Sequence, residues 1–333
     1  MRKLTMTWAV GLVLAACAWA QPNMGYITDA MIRDDASISP SKIRGLVDLT
    51  QLMGGKTWYV NSTNTSGADA AGWGNKVGTP FLTLGYAITA ASAGDLILVA
   101  PLHVEAVASN TGIIVDKALG IIGCADGELR PVFTFTTATS ASIVVTGAGV
   151  RFENLIFKCG KTGDDHVTML NITGAGCDVD NCSFRDGGST MQTLNAITLG
   201  AGSDFTTIHN CYFRSTIAGA QNAITINSAT TGFGIEGCYI YGSYSVSGIY
   251  SASAHTECRV RWNNITNVTA GAHTAIGFTA AATGTISFNI VNCTNSAVAT
   301  HGGIDPGSCY CNENYGSDGV GDVSGVIQPA VDS

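Results

Sequence analysis

Glu153, Asp180, His209 and Glu236 recur at intervals of 25 to 29 residues and are followed in the same rhythm by Arg261. Each stands directly after an apolar residue: Phe152, Val179, Ile208, Ile235 and Val260. Carboxylates, an imidazole and a guanidinium set out evenly on one surface are the groups that a glycan-cleaving groove needs. They would serve as general acid and base on a glycosidic bond, or as a Ca²⁺ cradle that acidifies a sugar ring proton. Outward positions are polar whatever the function, so a solvated ladder with cross-coil ion pairs is the simpler reading of the same residues. Two loops add acids: Gly163-Asp164-Asp165-His166, the tightest charged cluster, and Asp186-Gly187-Gly188. The first could bind Ca²⁺ or act in acid/base work, although Asp and Gly are also ordinary turn formers. Tyr212, Tyr239, Tyr241 and Tyr244 read as exposed rings of the kind that stack on sugars.

The even spacing has a structural origin. A phrase of the form apolar-x-x-z-x-apolar repeats six times, as Phe152 to Phe157, Val179 to Phe184, Ile208 to Phe213, Ile235 to Ile240, Val260 to Ile265 and Ile286 to Val291. A period of 25 to 29 residues is one coil of a β-helix. First and last residues of each phrase then point inward and stack at the interstrand spacing of about 4.8 Å. One inward column is Phe152, Val179, Ile208, Ile235, Val260 and Ile286; the other is Phe157, Phe184, Phe213, Ile240, Ile265 and Val291. At the turn between them Cys182, Cys211, Cys238, Asn263 and Asn289 form a third column, where a stacked Asn would bridge neighbouring turns and Cys would fill the same slot. Further apolar runs, such as those at 143–147, 195–200 and 222–227, supply the remaining strand of each turn. The expectation is an all-β, single-stranded right-handed parallel β-helix of seven to nine coils over residues 80–315.

Before the repeat, Thr57-Trp58-Tyr59-Val60 reads as a strand and is followed by a Gly- and Asn-rich loop to residue 79. Phe81, Leu84, Ala87, Ile88 and Ala91 then sit at helical spacing, Gly94 stops the helix, and Leu96 to Ala100 is an apolar strand ending at Pro101. This order resembles the N-terminal cap of the pectate-lyase-like β-helix superfamily, departing from it at Leu102 and His103. Lyases of that superfamily pair Arg or Lys bases with Ca²⁺-binding acids, and its galacturonases carry Asp pairs. Neither set stands at matching spacing here, and Arg185 and Arg214 stack at the far end of the phrase from the acidic column.

The chain opens with Arg2 and Lys3 and an apolar run from Trp8 to Trp19, too short to span a bilayer. It reads as an export signal cleaved after Ala20, with a lipobox-like Leu14-Ala15-Ala16-Cys17 as the alternative. Residues 21–56 form a more charged leader in which Ile27 to Ile32 is echoed by Ala36 to Ile43, a pattern that resembles short linkers of bacteriophage fibre and spike proteins. The ten cysteines left once Cys17 is removed include no C-x-x-C pair and no His at zinc-ligand spacing, so they read as free or locally paired structural thiols with no metal site. Low charge (12%), 41 glycines and a net charge of −8 suit short strands joined by turns and leave no basic face for nucleic acid.

Function is expected to be that of a non-catalytic exported or virion-associated β-helix, a structural or adhesion protein that meets a polysaccharide or cell-surface glycan. A secreted polysaccharide lyase or glycoside hydrolase using the acidic column is the alternative, and only it would call for Ca²⁺. No other cofactor and no transmembrane segment are expected, and a trimer is expected if the chain is a virion spike.

Overall fold

The computed structural model describes residues 55–109, 112–163, 165–188, 190–216, 219–271, 273–278, 281–293, 303–317 and 324–327. The expected export signal, Cys17 and the leader up to residue 54 lie outside these residues.

Three long sheets run the length of the molecule, and the chain visits them in rotation. Sheet 1 has ten strands, from Thr57–Val60 to Tyr310–Asn312; sheet 2 has eight, from Ile113–Val115 to Ile304–Asp305; sheet 3 has ten, ending with Ser324–Ile327. Each strand pairs in parallel with its counterpart in the next coil, giving a right-handed parallel β-helix of about eight turns. The exception is Ser324–Ile327, which turns back antiparallel on Asn314–Ser317 and covers the last edge of sheet 3.

Both inward columns are observed in the expected register. Phe152, Val179, Ile208, Ile235, Val260 and Ile286 pair in succession along sheet 1, and Phe157, Phe184, Phe213, Ile240, Ile265 and Val291 along sheet 3. All twelve are buried. Because parallel strands repeat every ~4.8 Å, rings at one register fall into face-to-face stacks. Phe157 and Phe184 lie 4.8 Å apart at 9°, and Phe184 and Phe213 4.9 Å apart at 6°.

The third column sits where sheet 1 turns into sheet 3 and is equally buried. Asn263 Nδ2 donates to Ile235 O and to Asn289 Oδ1, and Asn289 Nδ2 donates to Val260 O and to Asn314 Oδ1. The amide oxygens of Asn263, Asn289 and Asn314 accept the backbone N–H groups of Cys238, Asn263 and Asn289 respectively. In the coils with Cys instead, Cys238 Sγ lies 3.7 Å from Ile208 O and Cys211 Sγ 3.4 Å from Val179 O, the carbonyls that correspond to those bound by Asn. A thiol thus takes the donor half of the Asn position but offers the next coil a poorer acceptor than an amide oxygen.

The capping helix is shorter than its apolar spacing suggests, running only from Leu84 to Ala90. Thr83 is its N-cap and accepts from Tyr86 N, while Phe81 lies before it, bridging to Val60. Pro80 and the capping threonine set the later start. A buried chain of polar groups fixes it: Ser62 N donates to His103 Nδ1, His103 Nε2 meets Glu105 Oε2 at 3.1 Å, and Glu105 Oε2 accepts from Leu84 N. Thr57–Val60 pairs with Leu96–Val99, so sheet 1 begins ahead of this helix.

Candidate face of sheet 1

Because side chains alternate along a strand, each coil offers sheet 1 two outward positions. One carries the expected column: Glu153, Asp180, His209, Glu236 and Arg261 are in register. Two residues earlier runs a parallel column of Arg151, Asp178, Thr207, Gly234, Arg259 and Thr285. The two columns interlock. Arg151 reaches Glu153 at 3.1 Å, Asp178 at 3.6 Å and Asp180 at 3.4 Å. His209 lies between two carboxylates, its Nε2 2.8 Å from Asp178 Oδ1 and its Nδ1 3.2 Å from Asp180 Oδ1. Thr207 Oγ1 donates to Asp178, and Asn210 Nδ2 lies 3.1 Å from both Asp180 Oδ1 and His209 Nδ1. A neutral ring that donates from Nε2 to Asp178 accepts from Asn210 at Nδ1, so both nitrogens are occupied. One coil on, Glu236 stands between Arg261 at 3.0 Å and Arg259 at 3.7 Å. The cluster is half-exposed, where such pairs contribute only about 0–1 kcal/mol each. Among the described residues, no three His, Cys, Asp or Glu side chains are arranged to hold a metal ion.

Beside this network the surface opens. A depression of about 410 Å³ is lined by Thr207, His209, Asn210, Glu236, Gly237 and Trp262. Its origin lies in the turn from sheet 1 to sheet 3, where one residue per coil takes a left-handed backbone: Asn154, Asn181, Asn210, Gly237, Trp262, Phe288 and Glu313, with φ between 49° and 63°. Asn and Gly tolerate this conformation, and the absent side chain of Gly237 leaves a gap one coil wide. Bulky Trp and Phe are uncommon there. Trp262 is 55% exposed, Arg261 lies over its ring at 4.4 Å, and Phe288 stacks on it at 6.2 Å. Trp262 falls inside a repeat phrase as its x position, so its exposure and backbone were not legible without the turn geometry.

The other sequence candidates fall elsewhere. His166 is not a loop residue: it begins the sheet 2 strand His166–Ile172, is wholly buried, and bonds Thr193 Oγ1 and Ala141 O. Burial holds its pKa below the ordinary imidazole value. Asp165 is exposed and accepts from Gln192 Nε2, and Asp164 lies outside the described residues. Asp186 accepts from Ser215 Oγ and Thr216 N in the following coil. Tyr212 and Tyr239 stack on each other at 5.3 Å and 5°, so each ring gives one face to its neighbour. Tyr244 is buried, contrary to its reading as an exposed ring, because it fills space behind Gly242 rather than continuing the outer face of sheet 3. Lys158, Arg185 and Arg214 form a basic column on sheet 3, with Arg185 bound to Glu128 at 2.8 Å. That hydrogen bond holds the Glu128 carboxyl below its ordinary value. On sheet 2 the column in register with Asn171 runs through Thr198 and Thr225, both buried, to Tyr250.

No protein-family model matches the chain, and no curated protein matches it. Among solved structures it is similar to a rhamnogalacturonan lyase, at 13% identity and a TM-score of 0.47, over 72% of this chain and 74% of that one. The stacked sheets, the Asn ladder and the capping helix decide the fold. It is a right-handed parallel β-helix. A β-helix scaffold fixes no chemistry by itself. The segment that resembles phage linkers lies outside the described residues. Within them, no helix is long and apolar enough to cross a membrane.

Proposed function

We propose that the protein is a non-catalytic, exported β-helix that binds a glycan in the depression between Asn210 and Trp262. The observation that supports this most directly is Trp262. It takes a left-handed turn position that costs a bulky side chain energy, keeps more than half of its surface in water, and borders the gap above Gly237. An indole edge beside an Asn amide, a Thr hydroxyl, an imidazole and a carboxylate is the mixture of apolar surface and hydrogen-bonding groups that sugars use. A binding role also agrees with the charges. Each carboxylate of the column is tied to an arginine or to His209, and all three arginines of the cluster are paired. His209 between two carboxylates is the feature that favours the alternative, a glycan-cleaving enzyme.

The test is a glycan array followed by titration of the best binder, with wild type, Trp262→Ala and Gly237→Asn, and a parallel assay for reducing ends and unsaturated products with and without Ca²⁺. Asn suits the backbone at 237, as at 154, 181 and 210, and fills the gap. Both variants are expected to weaken binding, Trp262→Ala by about 2- to 12-fold, the range of one lost aromatic contact of about 0.5–1.5 kcal/mol. Binding unaffected by both variants refutes the site. Cleavage abolished by His209→Ala or Asp180→Ala replaces the binding role with the enzymatic one.

A further inference from the structure

Cys177, Cys211, Cys238 and Cys309 donate to backbone carbonyls, and Cys309 also meets a second cysteine. Cys258 Sγ and Cys309 Sγ are 3.4 Å apart, 51 residues apart in sequence, and both buried. Cys258 begins the strand Cys258–Arg261, and Cys309 closes the turn from Pro306 that leads into Tyr310–Asn312. They belong to alternate coils. Cys258 pairs with Gly284, and Thr285 pairs with Tyr310, so Gly284 stands between the two thiols. With φ of +143° and a virtual Cβ only 2.2 Å from Cys258 O, position 284 admits no side chain.

We propose that Cys258 and Cys309 are joined by a disulfide that clasps the last coils of the β-helix across Gly284. In the bonded state the sulfurs lie about 2.05 Å apart. Positions two coils apart stand about 9.6 Å from each other, beyond the Cα span of a disulfide, so on closure the turn from Pro306 that carries Cys309 moves towards Cys258. Before the coils close both thiols meet solvent and either can begin the exchange; in one order Cys258 goes first. Its thiolate attacks one sulfur of a small or protein disulfide, forming a mixed disulfide and releasing one thiolate. Cys309, losing its proton, then attacks Cys258 Sγ and expels the second thiolate. Two electrons pass to the donor disulfide, which ends as two thiols carrying the protons lost by the cysteines. Both sulfurs are buried once the coils close, so the exchange accompanies folding. The clasped strand leads directly into Trp262, and the clasp ties the coil carrying Arg259 and Arg261 to the last strand of sheet 1.

The experiment is peptide mapping of the full chain, refolded in a glutathione redox buffer, then denatured and alkylated without reductant. The expected result is a Cys258–Cys309 linked peptide, two hydrogens lighter than the sum of its parts, that disappears on reduction. Thermal unfolding should shift downward on adding dithiothreitol in wild type and not in Cys309→Ser, whose Cys258 should alkylate fully. Alkylation of both Cys258 and Cys309 in the wild type, or a link from either to another cysteine, overturns the proposal.

Discussion

Asn289 gives the sharpest test of what holds the coils in register. Its side chain makes four hydrogen bonds: Nδ2 donates to Val260 O and Asn314 Oδ1 at 2.9 Å each, and Oδ1 accepts from Asn263 N and Asn263 Nδ2 at 3.0 Å each. All of it is buried. Asn289→Ala removes every one of these and leaves two donors of Asn263 without partners, while the Val260 carbonyl keeps its place in the sheet 1 ladder. A buried group stripped of its partner costs about 1–3 kcal/mol, and water entering the small cavity recovers part of it, so the loss should be about 3–5 kcal/mol. Asn289→Cys copies the residue found at 182, 211 and 238. A thiol can reach Val260 O as Cys238 reaches Ile208 O, but it gives Asn263 a poorer acceptor, so its cost should be about half that of Ala. Urea unfolding measures the total, and amide hydrogen exchange locates it. In a solenoid each coil depends on its neighbours, so protection should fall first in coils from residue 258 onward, while the Val179 and Phe184 strands keep theirs. An Ala variant within about 1 kcal/mol of wild type, or a Cys variant as unstable as Ala, would refute the claim that the amide bridge and not simple filling of the slot holds this corner.

Burial holds the pKa of His255 down to about 4, with its nitrogens bonded to Thr230 Oγ1 and Ser251 Oγ among the rings of Phe233 and Phe278. Below the ordinary value of 6.5 the unfolded chain binds a proton that the folded chain refuses. Stability should therefore be full above pH 6.5, fall by about 3 kcal/mol as pH drops towards 4, and stay level with respect to this group below that. His255→Gln should flatten the slope in pH-dependent urea titrations, and an unchanged slope would remove His255 as its source. At the candidate site, Trp262→Asn relieves a strained backbone and loses an exposed stack with Phe288, so stability measured by thermal unfolding should stay within about 1 kcal/mol of wild type while glycan binding falls. A clear loss of stability would make Trp262 a scaffold residue.

The sequence made the scaffold legible because one phrase encodes two inward columns and the turn column at fixed offsets. Phe157, Phe184 and Phe213 needed no three-dimensional information to be placed in one stack, nor did Asn263 and Asn289. The site was half legible for a related reason. The phrase begins at the inward residue, so it reports the outward position after it, Glu153 to Arg261, and is silent on the one before, where Arg151, Asp178 and Arg259 stand. Their apolar flanks vary, from Val150 and Cys177 to Cys258, and give no repeating mark. His166 failed differently. Two acids before it suggested a loop, but burial is decided by where the sheet 2 strand starts, and Phe135 packs against the ring at 5.1 Å.

The corner between sheets 1 and 3 shows why a binding site would arise there. Its inner ladder of Cys and Asn satisfies the backbone of successive turns, so substitutions there are paid in buried hydrogen bonds. Its outer ladder needs only a residue that accepts a positive φ, and Asn, Gly, Trp, Phe and Glu all occupy it within seven coils. Inner and outer residues are adjacent in sequence, as in Asn210-Cys211 and Trp262-Asn263, yet they answer to different constraints. The fold therefore holds the outer ladder at a fixed rise of about 4.8 Å per coil while leaving its side chains free to vary. Removing one side chain at Gly237 and adding a large one at Trp262 is enough to carve a recess beside a polar network already present on sheet 1, with no loop insertion and no change of register.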